Sequence, residues 1–358
     1  MTAAGRDTVL QTPPLDSWVV ELADELSAGL RSLVRLHLGR TASRGLAGIA
    51  AGGDTTFAID REAEAYLAAF LEGREAKVAV YSEDRGLVRY GDPRYVFIVD
   101  PIDGTRPAAA GLEAACVSVA VAPWMEAPAM GDVLYGAIHE IKGEGVFTAR
   151  RGGGAKLTNA GVTMAGAGDG PVLQGDAALQ PIFSTNVDLC RLFWTIGFRG
   201  RPAAELVAVL GGLIDMSSVD GGVFDLGSAT FGMTRILTGQ MDAYVDVGPR
   251  MIELAPWVED RFRAVGHGHV LNNSPHDVAA ATLILREAGC PVTDAAGRSL
   301  DQRPLLGSDA DHQMSVVASA TQELHDAILV EVARGMDSLL ARGPLVAPSP
   351  GRESGGRS

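Results

Sequence analysis

A layered α/β fold is what this sequence predicts, and two observations carry the prediction. Segments with apolar residues at helical spacing alternate with short apolar runs of strand length. The alternation extends over 358 residues, enough to bury a large core as one domain or as two fused lobes. A stretch rich in Gly and Ala near 161–175 separates the halves. The globular part is therefore expected at 16–342, with lobes at about 16–160 and 176–342. Residues 1–15 contain Gly, Thr and two prolines, and 343–358 are rich in Pro, Gly, Ser and Arg, so both ends are expected to be flexible tails.

The elements follow in order. A helix is expected at 16–38, where Val19, Leu22, Leu26, Leu30, Leu33 and Val34 form an apolar stripe. Asp60 reads as the N-cap of a second helix that stops at Gly73. Residues 77–81 and 95–99 read as strands, the second leading directly into Asp100. Further strands are expected at 116–122, 133–138 and, less distinctly, 144–149, followed by a turn at Arg151-Gly152-Gly153-Gly154. The second half reads as a helix at 226–237, a strand at 242–247, a helix at 277–288, a strand at 290–293 and a closing helix at 321–341.

Composition narrows the function. Hydrophobic residues make up 47% of the chain and charged residues 21%, as in soluble globular enzymes. The formal net charge is -14, which repels nucleic-acid phosphates and argues against a DNA or RNA partner. A phosphorylated substrate meets the same repulsion unless bound cations reverse the local sign. Cys116, Cys190 and Cys290 are widely spaced, form no CxxC, and are expected to be small core residues. The N-terminus lacks a basic segment followed by an apolar one, and no apolar run reaches membrane-spanning length, so no membrane association and a cytoplasmic location are expected.

Three acidic clusters stand out, each after an expected strand or at a helix start. They are Ser82-Glu83-Asp84, Asp100-Pro101-Ile102-Asp103-Gly104-Thr105, and Asp277 ahead of Val278-Ala279-Ala280-Ala281. Hard cations such as Mg²⁺ take oxygen ligands in octahedral geometry, and strand ends can aim carboxylates into one crevice. Pro101 fixes its own φ and restricts Asp100, which makes a rigid turn. Asp100 and Asp103 are then expected on one side, with the Ile102 carbonyl as a further oxygen ligand. Gly104 allows close backbone approach, and the N–H groups of Gly104 and Thr105 suit a phosphate if a helix begins there. Taken singly, Asp277 reads as an N-cap and Ser82-Glu83-Asp84 as a solvated loop; the ordered combination points to a metal site.

These residues resemble the inositol monophosphatase family of magnesium-dependent, lithium-sensitive phosphatases, over most of the chain to about residue 340. Val99 to Thr105 matches the family's central motif. Thr56-Phe57-Ala58-Ile59-Asp60 resembles its early T-x-x-D, Ser82-Glu83-Asp84 its G-E-E, and the segment from Phe147 to Ala155 its A-x-x-G-x-G-A turn. Leu226-Gly227-Ser228-Ala229 resembles G-S-A-A, His276-Asp277-Val278-Ala279-Ala280 resembles W-D-x-A-A, and Glu287-Ala288-Gly289 resembles the start of E-A-G-G. The resemblance implies an α-β-α-β-α fold in two lobes around a metal crevice. It implies that Glu83, Asp100, the Ile102 carbonyl, Asp103 and Asp277 bind Mg²⁺, with Mn²⁺ as a substitute. Glu83 and Thr105 would position or activate the attacking water, supported by Asp60. Gly104 and Thr105 would hold the phosphate, and Asp246, Ser228 and Ala229 would face the body of a small phosphorylated metabolite. Family members often form homodimers.

The chain departs from the family pattern at several points. His276 stands for the usual Trp, Arg106-Pro107 for Asn-Phe, Asp84 for the second Glu, and Asp246 for a Glu. The segment from Asp246 to Asp277 is longer than usual and carries Trp257, Arg261, Arg263, His267 and His269. These changes bear on substrate more than on reaction, so inositol phosphate, histidinol phosphate, fructose bisphosphate and 3′-phosphonucleotides all remain open. A non-catalytic metabolite-binding relative is the alternative, but its signature would be a lost metal carboxylate. His267 and His269 have no third ligand at zinc spacing and read as a surface loop, as Arg261 and Arg263 read as surface charges. His139-Glu140 lacks the second His of HExxH, and the glycine triplet lacks the GK[ST] ending of a phosphate loop.

Overall fold

A computed structural model describes residues 15–50, 53–158 and 178–343. The two expected tails, apart from residues 15 and 343, and the Gly/Ala-rich stretch lie outside the described residues. Elements are numbered in chain order. Helix α1 (Ser17–Arg35) buries Val19, Leu22, Leu26, Leu30 and Val34, the stripe expected from their spacing. A small antiparallel hairpin, β1 (Leu46–Ile49) and β2 (Thr55–Phe57), runs into α2 (Ala58–Gly73). Then come β3 (Val78–Ser82), β4 (Gly86–Tyr90) and β5 (Tyr95–Asp103), followed by α3 (Thr105–Ala110), β6 (Cys116–Pro123), β7 (Tyr135–Glu140), β8 (Val146–Arg150), β9 (Ala155–Thr158) and β10 (Ala178–Leu179). The remainder is β11 (Phe193–Ile196), α4 (Ala203–Met216), β12 (Gly222–Phe224), α5 (Ala229–Leu237), β13 (Ala243–Asp246), α6 (Gly248–Leu254), α7 (Glu259–Val265), α8 (Pro275–Glu287), β14 (Val292–Thr293), β15 (Val316–Ser319) and α9 (Gln322–Arg342).

These elements stack as α-β-α-β-α. The first sheet has eight strands in the order β10-β9-β8-β7-β6-β5-β3-β4, antiparallel except for the β3–β5 pair. The second has five strands, β12-β11-β13-β15-β14, with β12, β11 and β13 mutually parallel. Helices α1 and α2 cover one face of the first sheet, while α5 and α8 lie between the sheets. Helices α4 and α9 close the far side. Gly335 of α9 packs so tightly on α4 that a Cβ there would lie 1.8 Å from the Val209 carbonyl oxygen, so only glycine allows this approach. Each fully buried Leu or Phe in these layers contributes on the order of 1.5–3 kcal/mol of apolar transfer energy.

Strand β5 positions the site. It is buried along its whole length, and its side chains alternate: Tyr95, Phe97 and Val99 join the α1/α2 layer, and Val96 and Ile98 the middle layer. By that parity Asp100 points to the middle layer. The register then shifts. Asp100 pairs with Ser118 and Asp103 with Cys116, so three steps on β5 match two on β6. The one extra residue is a bulge, and it returns Asp103 to the face of Asp100.

Several expectations are corrected. Asp60 is not an N-cap: α2 begins two residues earlier, and the Asp60 carboxylate reaches back to the Phe57 N–H at 2.7 Å. The eighth helix likewise begins at Pro275 after Ser274, which places Asp277 in its first turn. Cys116 and Cys290 are buried as expected, but Cys190 is exposed. Nothing in the sequence reading anticipates β4, β9, α4, β11, α6, α7 or β15. In α4, Gly211 and Gly212 lower the helix propensity although Leu206, Val209, Leu210 and Leu213 keep helical spacing, and packing against α9 supplies what propensity does not. Among the described residues no helix is long and apolar enough to cross a membrane.

Candidate metal centre

Asp100 and Asp103 reach the crevice from the end of β5, and Asp277 reaches it from the first turn of α8. One carboxylate oxygen from each lies within 4.8 Å of the others. Each carboxylate is fixed through one oxygen. Asp100 accepts from the Ile102 N–H at 2.9 Å. Asp103 accepts from the Ser228 hydroxyl at 2.8 Å and the Thr230 N–H at 2.6 Å. Asp277 accepts from the Ser274 N–H at 2.6 Å, reaching back from the first turn of α8 to the residue that precedes it. Among the described residues the second oxygen of each has no protein hydrogen bond, which leaves three oxygens for a cation.

The electrostatics fit a hard cation. Asp100 is 2% exposed and Asp103 is 6% exposed. Burial, then the charges of Asp103, Glu83 and Asp277, push the Asp100 carboxyl well above its usual range. Burial and Asp277 push Asp103 up to about 6, against hydrogen bonds from Thr230 and Ser228 that favour the anion. Glu83 is raised by burial and by Asp54 and Asp277. Carboxylates gathered without enough positive charge are stable as anions only with a cation among them, and an all-oxygen set suits Mg²⁺ or Mn²⁺.

Glu83 lies just past β3 and stands outside the trio. It shares a small cavity with Asp54, Arg199, His276 and Asp277. Thr105 opens α3, and its hydroxyl lies 3.0 Å from an Asp60 oxygen and 3.1 Å from the Ile102 carbonyl oxygen. One proton serves one of the two acceptors at a time. Burial outweighs the Phe57 and Thr105 hydrogen bonds and raises Asp60 to about 7. Gly104 has φ +93°, and a Cβ there would sit 2.4 Å from the Ala114 carbonyl oxygen and 2.9 Å from the Ser228 Cβ. The turn therefore requires glycine.

Beyond Asp103 and Asp277 the crevice continues into a narrow polar pocket lined in part by Phe198, Arg199, Arg201, Ser228, Ala229 and Asn273. Ser228 and Ala229 lie where the sequence expectation puts them. Asp246 does not line this pocket. It is fully buried, ion-paired to Arg201, and accepts the Gly248 N–H at 3.0 Å. Its shorter side chain lies behind the guanidinium.

Sequence reasoning missed Asp54, Arg199, Arg201 and Thr230. Asp54 and Arg201 sit in loops without a motif, and Thr230 acts through its backbone N–H, which no residue type announces. The Gly197-Phe198-Arg199-Gly200 turn after β11 is the one local signal, since its glycines allow close approach to the Asp246 and Leu271 side chains. His276 stacks on Tyr81 and is buried. His267 and His269 are exposed, and Arg261 and Arg263 pair with Glu205 and Glu259.

Comparison with known proteins follows the same lines. The sequence profile of the inositol monophosphatase family matches residues 17–336. A relative named Nus factor SuhB from Vibrio cholerae is 26% identical over 79% of this chain and 84% of its own length. An inositol-1-monophosphatase from Mesorhizobium japonicum is 27% identical over 68% of this chain and 74% of its own. A fructose-1,6-bisphosphatase/inositol-1-monophosphatase from Methanothermobacter thermautotrophicus is 26% identical over 78% and 84%. Among solved structures, the extragenic suppressor protein SuhB of Bartonella henselae superposes with a TM-score of 0.64 at 20% identity, covering 89% of this chain and all of that one. The Thermotoga maritima IMPase does so at 0.59 and 19% identity, covering 91% and 100%. The profile match, which spans nearly all of the described residues and includes every carboxylate of the crevice, shows that the chain belongs to the inositol monophosphatase family.

Proposed function

We propose that the protein is a Mg²⁺-dependent phosphomonoester hydrolase acting on a small phosphorylated polyol or sugar. The observation that carries this reading is the convergence of Asp100, Asp103 and Asp277, each with an oxygen left over, next to the Gly104–Thr105 turn and the Thr105–Asp60 hydrogen bond. Uncatalysed hydrolysis of such esters is among the slowest reactions known. A divalent cation supplies charge neutralisation for the phosphate and the leaving alkoxide, and raises the acidity of a bound water.

The chain supplies the rest. Asp100, Asp103 and Asp277 would hold the cation, with the Ile102 carbonyl and the neighbouring Glu83 as the further oxygen donors. Thr105 and Glu83 orient the attacking water, and Asp60, with a pKa near neutrality, draws on the Thr105 hydroxyl. The backbone at Gly104 and Thr105 approaches the phosphate. Ser228 and Ala229 border the pocket for the organic part, and Arg201 presents the cationic face there in place of Asp246.

A phosphomonoester panel with Mg²⁺, Mn²⁺ and EDTA tests this, with Asp103→Asn as the control. Metal-dependent phosphate release that the variant loses is expected; full activity in the variant, or none in the wild type on any ester, sinks the reading. The Nus factor name of the Vibrio cholerae relative raises a second reading, a partner role in transcription. The net charge of -14 favours a protein over RNA as such a partner.

A further inference from the structure

Arg199 enters the crevice from the loop after β11, and Asp54 enters from the residue just before β2. The two are ion-paired although 145 positions apart, and Arg106 holds the other Asp54 oxygen at 3.2 Å. Arg199 and Asp54 line the same small cavity as Glu83 and Asp277. Among the described residues, Arg199 is the one Lys or Arg side chain lining it. Burial works against the guanidinium charge, but Asp54, Glu83 and Asp277 outweigh it and keep the group protonated.

A guanidinium has donors only and cannot ligate a metal ion. Its charge nevertheless acts on the carboxylates that would. Among the described residues its ion pair within 4.0 Å is with Asp54, so it stands off Glu83 and Asp277 while its field reaches them. In the protein without metal that field offsets the mutual repulsion of the carboxylates. With metal bound, it opposes the ion.

We propose that Arg199 is a built-in counter-cation of the metal site, held back by Asp54, so that Arg199 and the divalent ion compete electrostatically for the same carboxylates. The inference rests on the metal-site reading above. It makes Arg199 a positioning residue that sets how tightly the ion is held, and ties the β1–β2 hairpin to the metal state of the crevice through the same ion pair.

Calorimetric titration of the metal-stripped full chain with MgCl₂, without substrate, tests it. Arg199→Gln is expected to bind Mg²⁺ about ten-fold more tightly, since a repelling charge is gone. Arg199→Lys keeps the charge and is expected to stay near wild type. Asp54→Asn is expected to bind about ten-fold more weakly, because it removes an anion and releases Arg199 toward Glu83 and Asp277. In the Arg199→Gln background the same Asp54→Asn change is expected to cost less. Wild-type or weaker affinity in a folded Arg199→Gln protein, checked by circular dichroism, overturns the proposal. That result leaves the phosphatase reading standing, which hydrolysis and the Asp103→Asn control judge separately.

Discussion

The Ser228 hydroxyl joins the two halves of the crevice: it donates to Asp103 at 2.8 Å and accepts the Phe231 N–H at 3.0 Å, as the N-cap of α5. One side chain thus starts a helix and fixes a carboxylate of the candidate metal site. In Ser228→Ala both bonds go. A cap loss of about 1 kcal/mol is expected, plus a similar amount for the buried Asp103 oxygen. Asp103 also loses one of the bonds that favour its anion, so Mg²⁺ binding is expected to weaken. Chemical denaturation and metal titration of the variant read the two effects separately.

Asp60 and Thr105 are linked at 3.0 Å, and Asp60 also secures the start of α2 through the Phe57 N–H. Asp60→Asn keeps an oxygen for Phe57 but replaces a group that takes up a proton near pH 7 with one that cannot. The expected result is a stable protein whose kcat falls about 100-fold, the low end for losing a proton acceptor. An unchanged kcat in a folded variant would remove Asp60 from the chemistry.

The raised carboxyls predict how stability depends on pH. Asp60 moves from 3.8 to about 7 and Asp103 from 3.8 to about 6, both chiefly through burial. Glu64, also buried, moves from 4.5 to about 7. In the window between these values the folded chain holds more protons than the unfolded one, so stability falls as pH rises. The metal-free protein is therefore expected to lose melting temperature between about pH 4 and pH 7. Mg²⁺ should flatten that loss by stabilising the anions at the Asp103 site. Melting curves at a series of pH values, with EDTA or MgCl₂, check the slope and its sign.

Gly104→Ala is expected to cost more than a typical loop substitution. The position has φ +93°, and the new methyl would meet the Ala114 carbonyl oxygen at 2.4 Å. Strain of about 1–3 kcal/mol is expected, together with a displaced α3 start and reduced activity. Denaturant midpoints and phosphate release measure the two consequences.

Much of the fold was legible because helix and strand periodicities report burial locally. The stripe on α1, the apolar run of β5 and the glycine after α8 appear in structure close to where the spacing puts them. Boundaries were less legible where side chains reach backward along the chain. Asp60 and Asp277 look like N-caps in sequence, but each sits three residues past the N-cap and accepts the backbone N–H of that residue, Phe57 or Ser274. Helix α4 does carry apolar residues at helical spacing, Leu206, Val209, Leu210 and Leu213, but Gly211 and Gly212 within it weaken the local helix signal, and packing on α9 secures it.

By itself the sequence determined that a rigid turn carries two carboxylates and a glycine after an apolar strand, with further acids upstream and downstream, because those are properties of short segments. Only the tertiary structure decided that a bulge returns Asp103 to the face of Asp100, that Ser228 and Thr230 hold it there, and that Asp54 holds Arg199 beside Glu83 and Asp277. The same packing decided that Asp246 is buried behind Arg201 instead of lining the pocket. Each of these depends on which distant side chain fills a crevice between layers, and that is settled when the two sheets and their shared helices pack, not by any spacing along the chain.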